Sequence, residues 1–538
     1  MKLNDKELAN KAQWEQAGIG LFDYDRQQMC KDTKEEPTWI HFGAGNIFRA
    51  FPAALQQSLL NEGLTSKGII AVDGYDGEII DMMFRPHDNL NLLVTLKANG
   101  TIEKTVIGSI AESLILDSKN EVEYTRLKEI FRSRSLQMVS FTITEKGYSL
   151  VNGKGEFLPD VIKDIKEGPA SPDSYIGKLT GLLYERYKDG ADPIALVSMD
   201  NCSHNGTKLY EAVHAFALKW TENGLVDAGF KDYVDNPDKV SFPWSMIDKI
   251  TPRPDDSVKE MLAQVGFEDI EGIITTKKTY VSPFVNAEEA QYLVIEDKFP
   301  NGRPPLEKAG VIFTDRETVD KVEKMKVCTC LNPLHTALAV FGCLLGYTKI
   351  SDEMKDKELV ELVNVIGYKE GLPVVVNPGI ISPKAFIDEV LNVRIPNPFM
   401  PDTPQRIACD TSQKISIRFG ETIKSYMASK TLDVKELKMI PLVLAGWCRY
   451  LMGVDDEGKS FDISPDPMYD VLKDKLSGLT LGQKGSFHDI LQPILSDKKI
   501  FAVDLYEAGL GELVEADFAE LIAGPGAVRA TLKKQLAE

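Results

Sequence analysis

The stretch between residues 38 and 73 constrains the fold of this chain more than any other. A short β-rich run, residues 38–42 (TWIHF), breaks at Gly43-Ala44-Gly45. A helical pattern of apolar residues follows through Ala53, Leu55, Leu59 and Leu60 to Gly63, and a second apolar run, residues 68–72, ends at Asp73. Strand, glycine turn, helix, strand, acid is the order of a βαβ unit built around a dinucleotide. Gly43 and Gly45 fill the first two positions of a G-x-G-x-x-G turn, whereas Phe48 stands at the third. A glycine at 45 lets the backbone approach a pyrophosphate, and the helix beginning near Asn46 turns its positive end toward that charge. Asp73 would accept hydrogen bonds from the adenosine ribose and repel a 2′-phosphate, favouring NAD over NADP, with Asp76 as the competing acid. Arg49 is either a phosphate partner or a solvated helix arginine.

The rest of the chain extends this pattern and then abandons it. Residues 138–144 and 194–199 are short continuous apolar runs, as buried parallel strands require, and the runs flanking Asn99-Gly100 read as a hairpin. After about residue 310 helical periodicity dominates. A boundary is expected at the proline-rich segment 299–305, giving an α/β, Rossmann-type doubly wound N-terminal domain (1–305, with an N-terminal extension) and a mostly α-helical C-terminal domain (306–538). No apolar run approaches the roughly 18 residues of a membrane span, and the polar N-terminus lacks the core of a signal peptide, so a cytoplasmic protein is expected. A net charge of −19 repels nucleic acid and anionic membranes, leaving a small molecule as the expected partner. Seven cysteines, an odd number, read as reduced thiols.

Residues 323–335 carry the densest chemistry. Asn332 is a good N-cap and Pro333 suits the first helical position, which puts His335 in the first turn near Asn332. Glu323 and Lys326, spaced i, i+3 on the preceding helix, can touch. An amine, a carboxylate, an amide and an imidazole thus lie along one short connector. Hydride transfer from a secondary alcohol needs a base for the hydroxyl proton and donors for the developing alkoxide. The bland alternative is a capped helix with surface lysines. A second candidate is residues 200–206 (DNCSHNG), directly after a strand, where α/β enzymes bind ligands; Asn201 there is a further donor, unless the cluster is simply a turn.

Together these segments resemble the long-chain mannitol dehydrogenase family, whose members act on polyols and sugar acids. The matching motifs run in order along most of the chain: Gly43-Ala44-Gly45-Asn46 with Arg49, then Thr144 to Tyr148, Asp200-Asn201 through Gly206, and Met246 to Pro252. Glu296 to Phe299 with Gly302-Arg303-Pro304, Lys326 to His335, Arg406 to Lys414, and Ala445 to Leu451 complete the set. The resemblance implies a metal-free mechanism with Lys326 as general acid/base, Asn201 and Asn332 holding the reacting oxygen, His335 orienting the substrate and Glu323 assisting proton exchange. It makes Arg406 and Lys414 substrate-pocket candidates.

Two departures from the family pattern matter. Five residues rather than four separate Lys326 from Asn332, so either a bulge absorbs the extra one or the lysine is displaced; the intact spacing from Glu323 favours the bulge. Ile47-Phe48 replaces the family's more common Phe-His before the arginine. The variant loop and longer chain point to the D-mannonate/D-fructuronate pair, with mannitol 2-dehydrogenase or tagaturonate reductase activity as the alternatives. Cys202, His204, Cys328, Cys330 and His335 as zinc ligands, or a non-catalytic NAD-binding protein, are the competing classes. Oligomeric state is not legible.

Overall fold

The computed structural model describes residues 1–254 and 256–537. The chain forms two compact units, Met1–Leu96 with Thr101–Asp320, and Lys97–Gly100 with Lys321–Glu538. Each has its own architecture.

The first unit is organised by a six-stranded parallel sheet. Its strands are β1 (Trp39–Phe42), β2 (Ile69–Asp73), β3 (Ile110–Ile115), β4 (Met138–Phe141), β5 (Ile194–Ser198) and β6 (Val240–Ser241), in spatial order β3-β2-β1-β4-β5-β6. This is the Rossmann strand order, with its reversal between β1 and β4. Every residue of β1, β2, β4 and β5 is buried. That is why these strands read as continuous rather than alternating apolar runs. The pleat still sorts their side chains. Ile40, Phe42, Ile70 and Val72 enter one core with helices α3 (Glu121–Arg132), α4 (Tyr175–Lys188) and α5 (Asn205–Glu222). Trp39, Ile69 and Ala71 enter the other, with α1 (Asn46–Ala50) and α2 (Pro52–Asn61).

The expected hairpin is present as Asn91–Leu96 and Ile102–Ile107, but it belongs to a separate four-stranded sheet with Ile19–Gly20 and Phe284–Glu288. A three-stranded sheet of Ser245–Asp248, Tyr292–Glu296 and Ile312–Thr314 holds two of the quoted motifs. Its last strand lies beyond the proline-rich segment and pairs back onto Tyr292–Glu296, so the first unit continues to Asp320.

The second unit is helical around α7 (Asn332–Leu344), which is buried on nearly every side, and α8 (Met439–Tyr450), which is buried throughout. Gly446 of α8 lets the two helices meet: a Cβ there would stand 3.0 Å from the Phe341 ring. The helical run Arg316–Leu344 is, by length and composition, apolar enough to cross a membrane, although no such run stood out in the sequence. With 78% of its apolar window buried inside the protein, it has the surroundings of a core helix.

Candidate active site

In the first unit the glycine turn leaves the carboxyl end of β1 at the reversal point of the sheet. Gly43 has φ +103°, and a Cβ on it would lie 2.1 Å from the carbonyl oxygen of Thr142, the residue after β4, so no other residue fits. Gly45 precedes α1 and has nothing within 4 Å of where a Cβ would sit, which leaves its backbone open to a phosphate. Asn46 opens α1. Phe48, at the third glycine position, is fully buried and stacks on His41 of β1 with ring centroids 4.2 Å apart. Helix α1 ends at Ala50 and the chain turns before Pro52, so an aromatic ring fills the space that close helix packing would otherwise occupy.

Asp73 is buried, and its carboxylate is engaged by main chain: it accepts from the N–H groups of Ala44 (3.1 Å), Tyr75 (2.9 Å) and Asp76 (2.6 Å). Burial pushes its pKa up, against the pull of those three donors. The acid therefore braces the glycine turn against the end of β2. Asp76 is also buried and accepts from the Thr275 hydroxyl at 2.6 Å. Arg49 lies inside the domain at 1% exposure, donating through Nη2 to the Ser282 carbonyl at 2.7 Å while Nη1 has no partner; burial lowers its pKa to about 9. Sequence reasoning missed Tyr175. This residue packs on Phe42 and against Gly74, and its buried hydroxyl has no protein partner although the Asp73 and Asp200 carboxylates act on it.

Past β4 and β5 the motif residues form one network. Asp200 accepts from the N–H groups of Ile143 (3.0 Å) and Thr144 (2.8 Å) and from the Tyr148 hydroxyl (2.5 Å). These bonds hold Thr144, a β-branched residue, at φ +64°. The Asn205 amide donates to the carbonyls of Ser198, Asp200 and Ser245. Asn201 sits on the exposed rim of this rigid turn.

In the second unit, helix α6 (Arg316–Met325) runs into a π turn, Lys326–Cys330, before α7. The Leu331 N–H bonds to the Lys326 carbonyl at 3.1 Å, an i→i+5 bond, so one residue is looped out without resetting the helix. Lys326 is 3% exposed; Glu323 and His335 are half-buried. The helix cap differs from expectation. Leu331 takes the cap position and Asn332 is the first helical residue, because the π turn feeds straight into α7 and leaves no free N-terminus for a side chain to cap. Asn332, the first helical residue, is half-buried.

Arg406 is 63% exposed and ion-paired with Asp402, four residues earlier. Lys414 is half-buried and donates to the Cys409 carbonyl at 2.5 Å. A second residue missed from sequence, Arg418, donates to Thr336 Oγ1 at 2.6 Å, and Thr336 Oγ1 donates to the Asn332 carbonyl at 2.9 Å. Nothing in the spacing of an SIRF stretch marks that arginine out; only the packing does.

Among the described residues no three His, Cys, Asp or Glu side chains converge as a metal site. Cys330 is buried and its thiol is pushed up to about 12, which keeps it a thiol rather than a thiolate ligand. His204 stacks on Trp244 at 4.3 Å and faces Asp320.

A Rossmann unit with an open glycine turn, followed by a helical unit with a buried lysine, defines a nucleotide-dependent oxidoreductase. The chain belongs to the mannitol dehydrogenase family: residues 37–308 match its Rossmann domain and residues 318–522 its C-terminal domain. It is 53% identical over 536 residues to a D-mannonate oxidoreductase of Thermotoga maritima, covering 99% of each chain. Its fold matches that of Pseudomonas fluorescens mannitol 2-dehydrogenase in ternary complex with NAD and D-mannitol, at 27% identity, TM-score 0.69 and full coverage of both chains. A D-sorbitol dehydrogenase in substrate-free form matches at 25% identity and TM-score 0.80, over 99% of this chain and 100% of that one.

Proposed function

We propose that the protein interconverts D-mannonate and D-fructuronate with NAD(H), using Lys326 as the general acid/base. The observation that carries the chemistry is the buried Lys326 on a π turn that leads into Asn332. The likeness over the full chain to a D-mannonate oxidoreductase supports the substrate. The cradle at Gly43, the open backbone at Gly45 and the orphaned Tyr175 hydroxyl fit a dinucleotide. When bound, the nicotinamide supplies or accepts the hydride at the substrate carbon. In the reductive direction the Lys326 ammonium gives its proton to the carbonyl oxygen as that oxygen gains charge, and the lysine is left as a neutral amine. Asn332 donates to the same oxygen, His335 orients the neighbouring hydroxyls, and Glu323 returns a proton to Lys326. Asn201, beyond β5, keeps the role of a further oxygen donor in this reading.

A lysine that moves the proton itself needs no metal-bound water, so full activity after chelation is expected. Lys326→Met should lower kcat by about 10²–10⁴-fold while NADH affinity, read by fluorescence titration, stays near that of the parent. Steady-state rates with D-fructuronate, D-tagaturonate and D-fructose test the substrate. The highest kcat/KM is expected with fructuronate, and better turnover of fructose would overturn the assignment.

A further inference from the structure

The second unit carries two neighbouring cations that form no salt bridge among the described residues. Lys414 and Arg418 stand one helical turn apart. The hydrogen bonds they make go to uncharged groups, the Cys409 carbonyl and the Thr336 hydroxyl, and neither joins a salt bridge among the described residues. The buried arginines Arg186 and Arg449 are better matched than half-buried Arg418. Arg186 donates to five backbone carbonyls, and Arg449 to three. Half-buried Arg529 is paired with Asp356 and Glu358. Arg418 has one neutral hydroxyl for a guanidinium with five N–H donors.

Withdrawing a cation from water is costly unless a counter-charge meets it. Burial lowers the Arg418 pKa to about 10, which leaves it charged at neutral pH; burial and Arg418 lower that of Lys414, and the Asp410 and Asp466 carboxylates pull it back up. The missing partner of Arg418 is an anion. Its position follows from packing within this unit. The turn bearing Arg418, Ser416–Gly420, packs against the π turn that opens with Lys326. The single Arg418 hydrogen bond leads through Thr336 to the backbone of Asn332. Arg406, which the sequence singled out together with Lys414, already has a counter-charge in Asp402.

We infer that Arg418, assisted by Lys414, is the specificity residue that binds the substrate carboxylate, the group that separates a hexuronate from a neutral ketose. A guanidinium fork meets a carboxylate through two parallel bonds, which a lysine cannot reproduce. The inference rests on the hexuronate reading above and adds the residue that enforces it.

The test compares kcat/KM for D-fructuronate with that for D-fructose, which differ at the carboxylate, in the parent enzyme, Arg418→Gln and Arg418→Lys. The fructuronate-to-fructose ratio should fall by about 10- to 100-fold in Arg418→Gln, chiefly through KM for fructuronate, and by less in Arg418→Lys. Melting temperature and NADH affinity report whether each variant is folded. If Arg418→Gln does not fold, Arg418→Lys decides. A ratio equal to the parent's in the folded variant, or an equal loss on both substrates, overturns the role of Arg418 while leaving the hexuronate assignment standing. A parent enzyme with no preference for fructuronate or tagaturonate over fructose overturns both.

Discussion

Tyr175 separates two reasons for burying a polar group. A hydroxyl that served the fold would have a protein partner, and this one has none, although it lies under the influence of two carboxylates at the carboxyl end of the sheet. Its partner is therefore expected to be the coenzyme. Tyr175→Phe should leave the melting temperature unchanged or higher and weaken NADH binding about tenfold, the scale of one hydrogen bond. Unchanged NADH affinity in a fluorescence titration would assign the hydroxyl to a packing defect instead. Gly43 and Phe48 teach the complementary lesson about the fingerprint. The first glycine is enforced by the Thr142 carbonyl, whereas the third position tolerates Phe48 because a ring stack on His41 replaces close backbone packing.

The element that matters most is the π turn between α6 and α7. Inserting one residue into an α-helix rotates everything beyond it by about 100°, whereas a π turn takes up the residue locally and preserves the faces on either side. The Leu331 to Lys326 bond shows that the extra residue is taken up in this way. Deleting Val327 should therefore return the turn to regular α-helix with Lys326 and Asn332 still on their present faces, keeping kcat within about tenfold of the parent. Inserting an alanine at the same point exceeds what one π turn absorbs and should cost at least about 10²-fold, close to the loss in Lys326→Met. A deletion as damaging as the insertion would show that the turn itself, rather than the phase it preserves, positions the lysine.

For the whole molecule, pH dependence of stability has an identifiable source in Glu353. It is fully buried against Gly342 of α7, both carboxyl oxygens lack partners, and burial, with Asp356 adding, raises its pKa from 4.5 to about 9. The folded state thus holds a proton that the unfolded state releases above its ordinary carboxylate range. Stability from this group is full below the unfolded value and falls as pH rises toward the folded value, by up to about 1.4 kcal/mol per pH unit. Glu353→Gln keeps the shape and removes the titration. Chemical denaturation from pH 5 to 9 should show the variant and parent diverging steadily, with the variant more stable at the alkaline end. Parallel curves would mean that the carboxyl is not protonated in the native state.

The local order of strand, glycine turn, helix and acid was enough to specify the Rossmann unit, because buried parallel strands and a turn with positive φ impose residue types directly on the chain. Helical periodicity likewise specified the character of the second unit. Lys326, Asn332 and His335 stood out in the sequence because they lie along one short connector. Tertiary structure alone decided the rest. It turned Asp73 inward as a brace, buried Arg49, gave the cap of α7 to Leu331, and resolved the extra residue as a π turn. It also set Arg418 against Thr336, more than eighty residues away in sequence, without a carboxylate to meet it. Such facts depend on which charges are paired after packing, and pairing between distant segments leaves no periodicity or spacing to read.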